Sequence, residues 1–244
     1  MKRISFTLGK TLQVFRLGTS TNEKICTPKE KILQSYTYSE AQFNYIKDSV
    51  INNTKRSFKD FFALDSENCF DCPFSSNSGN SNCYTHKFRQ YSGFLVQLKS
   101  IVNEFGSFEN IPTYNSLIGS DIAKLAIDRY VRFGSYGEPS MHPLELVKVV
   151  AENAKLWSGY THQYVSKPEY SKWFMASTHN ELQAKSAKDK FGFRSFLAVA
   201  DNKGIKAVIC PASNESTLDT SCSACGLCSG SQGKGTKNVV IIEH

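Results

Sequence analysis

The chain has 244 residues, 40% of them apolar and 21% charged, a balance that supplies a substantial core and excludes extensive disorder. Its 29 basic and 22 acidic residues give a net charge of +7, which favours phosphate-rich partners, while the scattered lysines equally suit a solvated basic surface. No apolar run approaches the roughly 20 residues of a spanning helix, and Lys10 and Arg16 interrupt the first apolar stretch before it becomes a signal-peptide core; the expectation is a cytoplasmic protein with no membrane partner.

Residues 1–64 read as an N-terminal extension of strand and helix, and residues 65–244 as the body of a single α/β domain. Leu12 to Leu17 alternate as a first strand does, before a loop around Cys26 and Pro28. Ser39 with Gln42 has the form of a capping box. Tyr45, Ile46, Ile51, Phe58 and Phe61 then recur at helical spacing, predicting a long helix broken near Asn52 and Asn53. Asp65 to Asn82 is rich in Ser, Asn, Asp and Gly and is expected to be a loop; Phe88, Tyr91, Phe94, Leu95, Leu98 and Ile101 mark an amphipathic helix ending near Phe105 and Gly106.

From about residue 128 short apolar runs end in polar, Gly-containing clusters and are often followed by helices. Tyr130 to Phe133 leads to Gly134–Pro139, and Pro143 opens a helix whose apolar face is Leu144, Val147, Val150 and Ala154. Leu156 to Tyr160 leads to Thr161-His162-Gln163. Trp173 to Ser177 is followed by a helix with Thr178 as its cap, Glu181 as its capping-box partner and Gly192 as its end. Phe193–Val199, Lys206–Cys210 and Asn238–Ile242 complete the strands. This alternation predicts a mainly parallel sheet forming a (β/α) barrel or partial barrel, with cysteine-rich metal-binding loops. Ser229 to Lys237 reads as a mobile Gly/Ser/Lys loop.

Seven of the eight cysteines fall in two groups. In a reducing compartment thiols so close in sequence serve as metal ligands or redox groups more often than as disulfides. Cys210-Pro211 followed by Cys222-x-x-Cys225-x-x-Cys228 suits a [4Fe-4S] cluster, because three thiolates at two-residue spacing wrap three corners of a cubane and a distant Cys-Pro supplies the fourth. Structural zinc is the alternative, although it more often joins two separate C-x-x-C knuckles. Cys69, Cys72 and Cys83 form the second group. With His86 they read as a Cys3His zinc knuckle, or without it as a cluster with one open iron for chemistry. Cys26 stands alone and reads as a small buried apolar residue.

In parallel α/β folds ligands collect beyond the carboxyl ends of the strands, where Arg132, Tyr136, Glu138, His162, Gln163, Ser177 and Arg194 are expected. Glu138 and His162 are candidates for proton transfer, and Arg132 and Arg194 for holding an anionic group; Tyr136, Gln163 and Ser177 are candidates for substrate binding. Taken singly, each has an ordinary structural explanation: a turn, a satisfied core histidine, an arginine reaching out of a strand. No P-loop, G-x-S-x-G elbow, H-E-x-x-H or complete G-x-G-x-x-G is present, which argues against nucleotide hydrolysis and hydride transfer by the common motifs.

The ordered set Arg132-Phe-Gly-Ser-Tyr-Gly-Glu-Pro139, Gly159-Tyr-Thr-His-Gln163, Met175-Ala-Ser177, Gly192-Phe-Arg-Ser-Phe196, Cys210-Pro-Ala-Ser213, Cys222-x-x-Cys225-Gly-Leu-Cys228 and Lys237-Asn-Val-Val-Ile241 resembles an uncharacterised cysteine-rich family of phages and mobile elements, over residues 65–244. More remotely, a cysteine loop followed by a helix and βα units is similar to the layout of radical SAM iron-sulfur barrel enzymes, although Cys69, Cys72 and Cys83 depart from their C-x3-C-x2-C spacing. The resemblances imply a phage-type protein working in a host cytoplasm. They also imply a catalytic cluster on Cys69, Cys72 and Cys83 with SAM as a cofactor, an auxiliary cluster on the last four cysteines, and a nucleotide or nucleic acid as substrate. The competing expectation is a zinc-stabilised nucleic-acid-binding or replication-associated protein without catalysis.

Overall fold

The computed structural model describes residues 2–70, 72–76, 83, 85, 86 and 88–242, with the backbone alone at Phe88 and Arg89. Part of the expected loop between Asp65 and Asn82 lies outside these residues. The chain is a mixed α/β protein with two five-stranded sheets, ordered β1-β2-β3-β4-β5 and β6-β7-β8-β10-β9.

The first sheet opens with a hairpin missed in the sequence. β1 (Arg3–Leu8) pairs antiparallel with β2 (Thr11–Gly18) across Gly9-Lys10, with Leu8 opposite Thr11. The alternation at Leu12–Leu17 therefore marks the second strand, not the first. β2 pairs antiparallel with β3 (Ile32–Ser39), which pairs parallel with β4 (Tyr130–Tyr136), and β4 pairs parallel with β5 (Leu156–Ser158).

The segment between β3 and β4 is helical. α1 (Glu40–Ile51) starts with the expected capping box: Ser39 Oγ accepts from Gln42 N, and Gln42 Oε1 accepts from Ser39 N. The break at Asn52 and Asn53 is real, Asn53 turning the chain with φ 48° before α2 (Phe58–Phe62) and α3 (Ser66–Cys69). α4 (Phe88–Phe105) ends at Gly106, φ 73°. α5 (Ser116–Ala126), capped by Asn115, was not expected.

The two faces of the first sheet are both covered. Phe6, Phe15, Leu33, Val131 and Phe133 pack with Ile122 and Leu125 of α5 and with Leu146, Val147 and Val150 of α6 (Leu144–Asn153). On the opposite face Leu12, Val14, Tyr36, Tyr38 and Tyr136 meet Phe43, Ile46, Phe61, Phe62, Tyr91, Phe94 and Leu98. Side chains alternating across each strand supply both layers, so the period of two along β2 is an apolar pattern on both faces.

The second sheet is parallel throughout: β6 (Tyr160–Thr161), β7 (Met175–Thr178), β8 (Ser195–Val199), β10 (Val239–Ile242) and β9 (Val208–Ile209). The expected Leu156–Tyr160 strand is divided at Gly159, where the chain passes from one sheet to the other. A Cβ there would lie 2.4 Å from the Phe174 ring, so only glycine lets the crossing pack this closely. α7 (Glu181–Phe191) closes at Gly192 as expected, but its cap is Asn180, whose Oδ1 accepts from Gln183 N. Thr178 is the last residue of β7, and the chain runs on through His179 before the helix begins. No helix among the described residues is long and apolar enough to cross a membrane.

Candidate metal centres and the polar mouth

β9 and the short helix α8 (Cys222–Cys225) bring the C-terminal thiols together. Cys210 follows β9 and is fixed by a bond from its N–H to Val240 O (2.8 Å). Cys222 and Ser223 donate their N–H groups to Lys24 O and Ile25 O, so the first loop of the chain cradles α8. The Cys228 carbonyl accepts from Gly159 N, at the junction of the sheets. Cys210, Cys222, Cys225 and Cys228 consequently line one narrow cleft, together with Tyr130, Ser158 and Tyr160.

All eight cysteines are free thiols. Burial raises the Cys210 and Cys222 thiols and pushes Cys228 up to about 12. The charges that neighbouring cysteines would carry add to each shift, Cys228 being influenced by Cys210, Cys222 and Cys225 alike. Thiolates packed together in one buried cleft need a compensating cation. A soft metal centre that replaces their protons fits this donor set. Among the described residues, however, no three Cys, His, Asp or Glu side chains converge tightly enough to hold a single ion.

Two of the expected anion-holding arginines lie by this cleft and not at a common substrate mouth. Arg132, on β4, is close enough to Cys222 and Tyr130 to stabilise their anionic forms. Arg194 lies just before β8. Its guanidinium donates to Gly230 O (2.8 Å), Leu227 O (2.9 Å) and Lys237 O (2.6 Å from Nη2, 3.1 Å from Nε). Those carbonyls belong to the segment read from sequence as a mobile loop. Instead Ser229 is buried, Ser231 and Gln232 donate to Ser171 O and Lys172 O, and a Cβ on Gly235 would lie 2.3 Å from Arg194. An arginine with neighbouring glycines thus pins the last cysteine in place.

The N-terminal thiols sit at the other end of β4. Cys69 ends α3, and Cys72 N donates to Cys69 O (3.0 Å). Cys83 Sγ lies 3.0 Å from Thr85 Oγ1. Burial raises Cys69 well above the ordinary thiol range, helped by Asp65, Cys72, Cys83 and Glu138, and pushes Cys72 up to about 12. His86, the fourth ligand in the zinc-knuckle reading, faces Asp65 (Nε2 to Oδ2 3.2 Å), both side chains being buried. Tyr136 is influenced by Cys69, whereas Tyr130 is influenced by Cys222 and Cys228. From Tyr130 to Tyr136 the strand runs roughly 20 Å, so the tyrosines that neighbour the two thiol groups stand at its opposite ends.

Part of the expected mouth assembles over this second group. Glu138 is buried, its carboxylate accepting from Ser140 N (3.1 Å), Ser140 Oγ (2.9 Å) and His162 N (3.1 Å). Burial raises its pKa against the pull of these bonds. Gly137 makes this turn possible: at φ 76° a Cβ would be 2.7 Å from Thr37 O. His162 stacks with His179 (centroids 5.6 Å), and Phe74 from the cysteine loop closes on both rings, at 6.3 and 4.8 Å. The loop therefore reaches the strand ends.

The other expected residues are dispersed. Tyr136 is in the aromatic core, its OH accepting from Gln42 Nε2 (2.6 Å) and its ring 4.6 Å from Phe94. Gln163 turns its Oε1 toward Ser166 Oγ (3.1 Å). Ser177 is half-buried within β7, opposite Phe196. Cys26 is buried in a small cluster with Ile25, Ile32, Tyr130 and Leu156, against which Cys222 packs. Sequence reading missed His179, Phe74, Asp65 and the hydroxyls of Tyr130, Ser158 and Tyr160. His179 follows a strand just as His162 does, a signal that was present; the tyrosines carry none, since a buried tyrosine is ordinary core.

The arrangement defines a mixed α/β protein with parallel-rich sheets and two buried groups of free thiols. Set beside known proteins, the chain matches no family model, no curated protein and no solved structure.

Proposed function

We propose that this is an iron-sulfur enzyme of phage type. In this reading the two sheets act as a barrel-like scaffold with a closed cluster on Cys210, Cys222, Cys225 and Cys228 and a reactive mouth under the Cys69–Cys83 loop. The observation that carries it is the single cleft lined by four free thiols. A cubane binds each thiolate on a separate iron, so its ligands surround a volume and do not converge on a point. Such a centre supplies electron transfer when bound.

The mouth supplies the other half of the reading. A buried Glu138 beside His162 and His179 can hold and pass a proton, and the thiols of Cys69 and Cys72 lie next to it. A second cluster there, with SAM as cofactor, is the form of chemistry the layout suggests, and the net charge of +7 suits a nucleotide or nucleic-acid substrate. The same charge favours the competing reading, a zinc-stabilised nucleic-acid-binding protein without catalysis.

Anaerobic purification with iron, sulfide and zinc analysis and a visible spectrum separates the two. The proposal expects brown protein with iron and acid-labile sulfide lost in Cys222→Ala. Colourless protein retaining stoichiometric zinc overturns it.

A further inference from the structure

The C-terminal cleft holds three polar side chains besides its thiols, and all three are hydroxyls: Tyr130, Ser158 and Tyr160. They come from the start of β4, the end of β5 and the start of β6, where Gly159 turns the chain between sheets. Tyr130 is buried, with its OH 2.6 Å from Ser158 Oγ. Tyr160 is held by Phe196, ring centroids 4.4 Å apart.

Tyr130 and Cys222, and Tyr160 and Cys228, line the same cleft, and each phenol is near enough to ease the ionisation of its cysteine. The donor in each phenol–sulfur pair follows from counting protons. A metal-bound thiolate has no proton to give, so each phenol must be the donor. Tyr130 then has a lone pair free for Ser158, whose O–H completes a chain from Ser158 through Tyr130 to Cys222.

We propose that Tyr130 and Tyr160 are positioning residues that donate O–H···S bonds to the Cys222 and Cys228 sulfurs and thereby raise the reduction potential of the centre these cysteines hold. The proposal rests on the iron-sulfur reading above. Adding one electron to a cluster adds one negative charge, spread partly over its sulfurs. A donor aimed at a sulfur stabilises the reduced state more than the oxidised one, and the potential rises. Arg132 and Arg194 beside Cys222 and Cys228 act in the same direction.

The test is a redox titration of the anaerobically purified full chain and of Tyr130→Phe, Tyr160→Phe and the double variant, with iron content and melting temperature measured alongside. The proposal expects each phenylalanine to lower the midpoint potential while iron content stays at the parent level, and the double variant to lower it further. Ser158→Ala touches no sulfur and should give a smaller shift in the same direction, which keeps the idea testable if a tyrosine variant folds poorly. Brown variants with full iron and unchanged potentials overturn the hydroxyl proposal and leave the cluster reading standing. A colourless, zinc-loaded parent overturns both.

Discussion

Replacing Arg194 by Met removes every guanidinium bond to the segment that carries Cys228 while keeping an unbranched side chain in its place. Gly230 O is buried, Leu227 O lies in a half-buried stretch, and Lys237 is exposed enough for water to take over. Leaving a buried carbonyl without its donor costs about 1–3 kcal/mol. One fully buried and one half-buried acceptor, offset by the guanidinium no longer being desolvated, give a net loss of about 3 kcal/mol. For a chain of this size that is a fall of roughly 6–12 °C in melting temperature. The assay is thermal unfolding followed by circular dichroism, with amide exchange of residues 227–237, which should accelerate even in the native state. Arg194→Lys should recover only part of the loss, because an ammonium cannot span three separate carbonyls as the planar fork does. A Met variant that melts within about 2 °C of the parent with unchanged exchange would refute the clamp and return Arg194 to the role of an anion holder.

Three further outcomes follow from the packing and the site. Cys222→Ala and Cys225→Ala should each lose the C-terminal centre and a large part of the stability, because metal binding is coupled to folding; metal analysis with a melt on each variant checks this, and full metal content at an unchanged melting temperature refutes the ligand set. His142 is buried against Phe15 and Phe133, with Nε2 2.8 Å from Ser35 Oγ, and burial lowers its pKa from 6.5 to about 3. Between those values the unfolded chain binds a proton that the native chain does not, so stability is full above pH 6.5 and falls as pH drops toward 3, by about 2 kcal/mol at pH 5. Urea unfolding at pH 7 and pH 5 should show this loss, and His142→Gln should shrink it; an equal loss in the variant counts against the assignment. Gly159→Ala should destabilise by about 2–3 kcal/mol through the clash with Phe174, and a neutral melt would show that the crossing can relax.

Local and periodic features were legible in the sequence because they depend on near neighbours. The capping box at Ser39 and Gln42, the stop at Gly106, the αL close at Gly192 and the parallel strand theme after residue 128 are each set by a few adjacent residues. So was the grouping of the cysteines, since two-residue spacing is itself the signal. Thr178 failed as a helix cap because Asn180, two residues later, is equally good chemistry and the strand still needed Thr178 for its pairing. The antiparallel β1–β2 hairpin went unread for a related reason: β2 is buried on both faces, and such a strand does not say which neighbour lies beside it.

Sequence alone determined that thiols come in two sets and that polar clusters follow strands. Only the tertiary structure decided that the two sets stand at opposite ends of β4, and that Arg132 and Arg194 serve the C-terminal cleft while Glu138 and His162 meet His179 beneath Phe74. The physical reason is distance along the chain. A cap or turn is fixed by bonds spanning a few residues, whereas a site is fixed by which buried faces and sheet edges find one another, and that depends on every side chain in the core at once.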